Sequence, residues 1–443
     1  MKAIISKVRK SVIPSKSLET SKKKIADLAF NLVKDQLEKF SEVIDLEFGG
    51  SFAKGTWLSK NADVDIFIKF KKEVSEGKFE EISKKIGFAS MKKYNPYVRY
   101  SEHPYVEAKI KDTKINVVPC YDVKLGNWKS AADRSPFHTK HMKTALSPKM
   151  RNEVRILKTF LQSVGIYGAE MAKQGFSGYV SEVLVLNFGS FENIVKSIAK
   201  IQENQTIGKT STEFETLISI IDPIDSKRNL AAAISEENIG KFILNCRAFQ
   251  IKPSLKFFKP KKSKISKNNL ENVLTVKFDF KIRSPDIIWG QIKRANNSLK
   301  TQLEIGGFKV LRSKSYSDEK KEAYLLFLLE SPVIPKKYPK IGPEFFREMD
   351  CRSFISKNIS KTELMWINDD RKIVSLEKRK NPDAVKFLSQ FLKDNLQTGI
   401  PKGLQGDFKK GFKVFLGTEN LSKSIKEVSK DLISTDDNIF HFN

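Results

Sequence analysis

Asp63 and Asp65 stand two apart in the run Ala62-Asp63-Val64-Asp65-Ile66-Phe67-Ile68, a dozen residues beyond Gly49-Gly50-Ser51. On a β-strand, residues two apart project to one face. The two carboxylates then lie side by side, while Val64, Ile66 and Ile68 enter a core behind them. A pair of parallel carboxylates suits two Mg²⁺ ions bridging a triphosphate and an attacking hydroxyl. The Ser51 hydroxyl and nearby backbone N–H groups, at a turn opening a helix, can hold triphosphate oxygens. This is the chemistry of nucleotidyl transfer. A solitary D-x-D is commonly a surface feature; here it follows a G-G-S turn, and a candidate third strand carries Ile115-Asn116-Val117-Val118-Pro119-Cys120-Tyr121.

These residues need a sheet and helices to hold them. Ile25, Leu28, Ala29, Leu32 and Val33 make an apolar stripe at helical spacing, so a helix is expected from about Ser17 to Phe40. Val43–Phe48 and Asp63–Phe70 read as strands and Glu73–Ile86 as a helix. Val98–Ile110 and Ile115–Val118 read as a hairpin around Lys111-Asp112-Thr113-Lys114, with Pro119 ending the second arm. This is an α/β catalytic head over residues 1–146. Residues 147–255 form a mainly helical neck, with helices at Asn152–Val164, Ser177–Phe191 and Lys241–Phe249. The run Lys256-Phe257-Phe258-Lys259-Pro260-Lys261-Lys262-Ser263-Lys264 reads as a linker, equally apt as an RNA contact or a soluble connector. Beyond it a body (256–312 and 380–443) and a tail (313–379) mix strands and helices. Strands are expected around Leu274–Phe280 and Ala323–Leu329, a helix at Trp289–Leu303, and a break at Pro332–Pro343.

At 443 residues the chain is too long for one ordinary core. No stretch reaches the roughly 20 apolar residues of a membrane span. Met1–Lys10 lacks the apolar core of a secretion signal. The three cysteines, Cys120, Cys246 and Cys351, match no C-x-x-C pattern, and the four histidines are scattered. The chain therefore reads as cytoplasmic, with reduced thiols and no zinc site. Lys and Arg number 80 against 52 Asp and Glu, a formal charge of +28. Such a surplus favours polyanionic partners, although a lysine-rich solvated surface would give the same count. The site chemistry tips the choice to nucleic acid.

At this point the chain resembles a known family. In order it carries Gly50-Ser51-Phe52-Ala53-Lys54-Gly55-Thr56-Trp57-Leu58, Asp63-Val64-Asp65, Glu102-His103-Pro104-Tyr105-Val106 and Val117-Val118-Pro119-Cys120-Tyr121. These are followed by Asp133-Arg134-Ser135-Pro136-Phe137-His138, Gly165-Ile166-Tyr167-Gly168-Ala169-Glu170 and Gly175-Phe176-Ser177-Gly178-Tyr179. Asp225-Ser226-Lys227-Arg228-Asn229 and Phe257-Phe258-Lys259-Pro260 complete the series. This is similar to the archaeal-type (class I) CCA-adding enzymes, tRNA nucleotidyltransferases of the polymerase-β superfamily. The likeness is dense over residues 1–260 and thinner beyond. It implies a polymerase-β-like head, a helical neck that selects the nucleotide, and a mixed α+β body and tail that grip the acceptor stem and TΨC arm of tRNA. It implies addition of C, C and A from CTP and ATP, with Mg²⁺ and without a nucleic-acid template. A homodimer is compatible with it, and no membrane is involved. Residue by residue, Ser51, Lys54, His138, Lys158 and Tyr167 match nucleotide-contacting positions, and Arg228 matches the arginine that helps read the base. The family more often has Arg at position 54, so a bidentate grip becomes a point charge. Read without the family, Lys158 would be a solvated helix face, His138 a capping or core histidine and Tyr167 a packed aromatic.

One position departs. The family's third metal-binding carboxylate falls at Asn116, beside Asp63 and Asp65. An amide oxygen binds Mg²⁺ more weakly and is no general base. Asp112, roughly 13 Å away along an extended strand, is too far to substitute. An engineered inactivation, a natural enzyme with weakened metal binding and a non-catalytic tRNA-binding relative all remain open, as does a poly(A) polymerase-like activity. The expectation is that Asn116→Asp raises incorporation by about two orders of magnitude.

Overall fold

The structure, a computed structural model, describes residues 1–59, 62–100, 103–259, 267–417 and 423–440. The chain forms two compact units: Met1–Lys262 with Ser284–Asp286 and Asp436–Asn443, and Ser263–Arg283 with Ile287–Thr435.

In the first unit, α1 (Lys2–Val12) precedes α2 (Lys16–Leu37), whose start is capped by the Ser15 hydroxyl accepting from the Leu18 N–H. Then come β1 (Val43–Gly49), α3 (Gly50–Lys54), β2 (Val64–Phe70), α4 (Glu76–Ser90), β3 (Tyr97–Tyr100), β4 (Pro104–Ile110) and β5 (Thr113–Tyr121). The strands form one sheet in the order β1-β2-β5-β4-β3. β2 and β5 run parallel and every other neighbour is antiparallel. Alternation along β2 sends Val64, Ile66, Ile68 and Phe70 into a core with Ile25, Ala29, Phe79 and Ile86 of α2 and α4. Each such side chain contributes roughly 1.5–3 kcal/mol by leaving water. The opposite face of β2 is left for Asp65.

Local expectations fail in two places here. The stretch Val98–Ile110 is two strands, Tyr97–Tyr100 and Pro104–Ile110, paired antiparallel. Nor does Pro119 end its strand: β5 continues to Tyr121, with Pro119 opposite Ile68. β4 pairs only as far as Val117, so β5 is bonded on one side beyond that point and tolerates a residue without an N–H. Helix α1 was not expected at all. Its Ile5, Val8 and Val12 stripe packs with Val154, Leu157 and Leu161, so the first dozen residues join the helical core.

That core is built by α5 (Arg134–Ala145), α6 (Pro148–Val164), α7 (Gly178–Phe188), α8 (Phe191–Ile198) and α9 (Glu236–Ile251). Between α8 and α9 lies a small sheet that helical periodicity did not announce: β6 (Gln205–Ile207), β7 (Ile218–Asp222) and β8 (Asp225–Asn229). The aromatic start of the expected linker is core instead. Phe257 is 6% exposed, stacks on Phe160 at 6.1 Å and meets Phe249 edge-on at 5.2 Å. The lysines of that run, 261, 262 and 264, lie outside the described residues.

The second unit has two sheets. β9 (Val273–Asp279), β10 (Val310–Ser317), β11 (Glu322–Leu329) and β15 (Phe412–Leu416) pair in the order β10-β11-β9-β15, with α10 (Pro285–Ile305) between β9 and β10 in sequence. β12 (Lys337–Glu344), β13 (Thr362–Ile367) and β14 (Lys372–Lys378) form the other, β12-β14-β13, with α11 (Glu348–Asn358) packed on β12. Pro339 and Pro343 sit in β12 because it is an edge strand. Residue 313 falls inside β10. No described helix is long and apolar enough to cross a membrane.

Candidate active site

Pairing places one residue from each strand of the first sheet in a single row: Gly49 opposite Asp65, Asp65 opposite Asn116, Asn116 opposite Glu107, Glu107 opposite Tyr97. At one end the chain turns into α3 through Gly49 and Gly50, and both glycines are required. A Cβ on Gly49 would lie 2.0 Å from the Phe67 ring. Gly50 has φ +62°, and its Cβ would fall 1.7 Å from Asp65 Oδ2. The Asp65 carboxylate thus rests directly on the turn that carries Ser51.

Asp63, just ahead of β2, is near enough to Asp65 for its charge to act there. Burial raises both carboxyls; for Asp63 the Glu107 charge adds to the rise and Lys114 opposes it. For Asp65 the Asn116 hydrogen bond opposes the burial, and the Asp63 charge adds to it. Asn116 Nδ2 donates to Asp65 Oδ1 at 2.8 Å. Its Oδ1 is buried with no hydrogen-bond partner among the described residues. Two carboxylates and an unspent amide oxygen are hard donors of the kind Mg²⁺ prefers, so the residues fit a divalent cation. Asp112 is elsewhere: on the turn, paired with Lys22 at 2.9 Å.

Lys54 and Lys158 are both buried, and both point to one acid that sequence reasoning missed. Glu182 of α7 takes Lys54 Nζ at 2.6 Å and has Lys158 Nζ at 3.7 Å. The Thr56 hydroxyl donates to Glu182, and Lys158 donates to the Thr56 carbonyl at 3.0 Å. Burial pulls Lys158 down to about 8, with the Glu182 charge resisting. A lone Glu among Val180-Ser181-Glu182-Val183-Leu184-Val185 was the available signal, since a fully buried Glu is rare unless paired. Tyr167 joins this group through a tight ribbon. Phe176 N–H donates to Ile166 O at 2.8 Å and Gly168 N–H to Phe176 O at 2.9 Å. A Cβ on Gly178 would lie 3.1 Å from the Tyr167 hydroxyl and 3.4 Å from Lys158 Nζ, so both crowd the start of α7. Burial first, then the Glu182 and Asp63 charges, raise the Tyr167 phenol.

His138 and Arg228 converge on a second unforeseen acid, Asp222, at the end of β7. Asp222 Oδ2 accepts from His138 Nε2 at 3.0 Å and Arg228 Nη1 at 3.1 Å, and Oδ1 accepts from Tyr179 Oη at 2.8 Å. The His138 ring stacks on Tyr179 at 3.8 Å. These bonds hold Asp222 below its ordinary value despite burial, while burial keeps His138 low. Asp133 aims His138. Its carboxylate accepts from the backbone N–H of Tyr121, Lys129 and Ser130 at 2.7–2.9 Å, tying the end of β5 to the start of α5. Lys54 lies 5.5 Å over the Tyr179 ring, so the Glu182 and Asp222 groups adjoin.

Away from this face, Glu76, Glu80 and His103 bring three potential ligand atoms within 4.8 Å of one another. The scatter of the histidines along the chain hid that grouping.

Comparison with known proteins follows the same layout. Residues 31–138 match the nucleotidyltransferase domain, 152–259 the second domain of tRNA nucleotidyltransferase and 271–417 the C-terminal domain of the CCA-adding enzyme. The CCA-adding enzyme of Saccharolobus shibatae is 34% identical over 83% of this chain and 88% of its own. That of Sulfurisphaera tokodaii is 34% identical over 84% and 88%. The solved Cid1 poly(U) polymerase aligns over 58% of this chain and 98% of its own at 12% identity, with a TM-score of 0.45, too low to bear on the argument. With a third of the aligned residues identical to these archaeal proteins over most of both lengths, the chain belongs to the CCA-adding enzyme family.

Proposed function

We propose that the protein adds C, C and A to the 3′ end of tRNA from CTP and ATP, without a nucleic-acid template. The observation that carries this reading is the pair Asp63 and Asp65, the first just ahead of β2 and the second on β2 against the Gly50 turn, in a chain of this family. Asp63, Asp65 and the Asn116 carbonyl would hold Mg²⁺; bound there, the cations neutralise the triphosphate and make the RNA 3′-hydroxyl a better nucleophile. Ser51, beside Gly50, would donate its hydroxyl to phosphate oxygens. Lys54 and Lys158, clustered on Glu182, supply the positive field that draws the triphosphate in. Arg228, oriented by Asp222, presents donors to the base edge, His138, held by the same acid, lines the base site, and Tyr167 walls the pocket. The 3′-oxygen attacks the α-phosphorus in line and pyrophosphate leaves.

Residues 1–146 act as the catalytic head and 147–255 as the neck. The remainder, with its own small sheet at Lys337–Lys378, forms body and tail that grip the acceptor stem and TΨC arm. The charge of +28 supports this polyanion contact. The setting is cytoplasmic.

The test is incubation with tRNA lacking its 3′ terminus and with CTP, ATP or both. Arrest after three additions is expected. An open-ended A tail would reject the reading in favour of a poly(A) polymerase-like activity. Salt-sensitive tRNA binding without incorporation would instead mark a non-catalytic relative.

A further inference from the structure

We infer that Glu107 of β4 supplies the third carboxylate of the divalent-metal site, the one Asn116 lacks on β5. The inference rests on the nucleotidyl-transfer reading above and adds a residue to that site.

Pairing opposite Asn116 puts the Glu107 side chain on the same face of the sheet as Asn116 and Asp65. The step from β5 to β4 is roughly 4.8 Å. Glu is one methylene longer than Asp and covers part of that step. Glu107 is 5% exposed, and a carboxylate that deep needs partners. Its neighbours are the Tyr97 hydroxyl, which donates to Oε1, and Arg99, whose Nε lies 3.5 Å from Oε2. Each carboxylate oxygen has two lone pairs, so these contacts orient the group without exhausting it. The negative charge of Glu107 also reaches Asp63. Between Glu107 and Asp65 in the row stands Asn116, whose Oδ1 is buried and without a hydrogen-bond partner among the described residues. The row therefore contains acid, neutral oxygen, acid. Two strands share the work that a single Asp on β5 would otherwise do.

This changes the expectation for Asn116→Asp. With Glu107 intact, a new acid at 116 duplicates a group already present, and the gain in incorporation falls below tenfold.

The experiment is a two-by-two set: parent, Glu107→Gln, Asn116→Asp and both. Mn²⁺ affinity is read by electron paramagnetic resonance, single-turnover incorporation into tRNA in Mg²⁺, and melting temperature in EDTA. Glu107→Gln keeps size and one acceptor oxygen while removing the charge. It is expected to weaken Mn²⁺ binding at least tenfold and to slow incorporation about a hundredfold. Adding Asn116→Asp to it restores both. If Glu107→Gln lowers only the melting temperature, leaving Mn²⁺ affinity and rate within twofold, Glu107 is merely the ion partner of Arg99 and the inference is overturned. If the parent incorporates nothing, the Mn²⁺ arm still decides: loss on Glu107→Gln with rescue by Asn116→Asp upholds the metal role while the proposed reaction fails.

Discussion

Asn116 donates its side-chain amide to the Asp65 carboxylate at 2.8 Å, and its carbonyl oxygen, although buried, accepts no hydrogen bond among the described residues. The amide calms an acid already raised by burial and by the Asp63 charge. Without metal, an Asp at 116 would replace that bond with a second carboxylate at contact distance. Asn116→Asp is therefore expected to unfold more readily in EDTA, by about 1–3 kcal/mol. Added Mg²⁺ should recover the loss. Urea titrations with and without the cation check this; equal stabilities in EDTA would contradict the arrangement.

Gly50→Ala tests the turn. Its backbone lies in the left-handed region, and the new methyl would overlap Asp65 Oδ2. Displacing that carboxylate by an ångström should slow nucleotide incorporation roughly a hundredfold. Melting would fall only modestly. A normal rate in this variant would remove Asp65 from the centre of the site.

Glu182→Gln leaves Lys54 and Lys158 buried without their counter-charge. Breaking a buried ion pair from one side costs about 3–5 kcal/mol. Lys54→Met in the same chain should return part of it, because one stranded cation is gone. Denaturant midpoints of the two variants provide the comparison.

His138 gives stability a pH dependence. Burial holds its imidazole below the ordinary value of 6.5 in the folded chain. Between the two values the unfolded chain binds the extra proton, so stability rises with pH through that window and falls as the medium is acidified below 6.5. His138→Phe keeps the ring stacking on Tyr179 and should flatten this part of the profile. An unchanged slope between parent and variant would show that another group sets it.

How far the sequence could be read depends on which forces are local. Alternation along β2 announced the face that Asp65 takes, and Gly49-Gly50 announced the turn, since period and backbone freedom are properties of a few neighbouring residues. The ordered motifs led to the family for the same reason: they are contiguous. The small sheet at Gln205–Asn229 escaped because its strands are short and lie in a helical setting. Pro119 misled because tolerance of a missing N–H depends on whether a neighbouring strand is there to receive it.

The sequence by itself determined the main strands and helices around the acids, which face of β2 carries acid, and the chemistry those acids can perform. Only the tertiary structure decided what they meet. The parallel register of β2 with β5, and the antiparallel register of β5 with β4, set Asp65, Asn116 and Glu107 in one row, and no local pattern encodes the register of distant strands. Likewise Glu182 gathers Lys54 and Lys158, and Asp222 gathers His138, Tyr179 and Arg228. Burial makes those charges choose partners, and which partner is in reach is settled by packing.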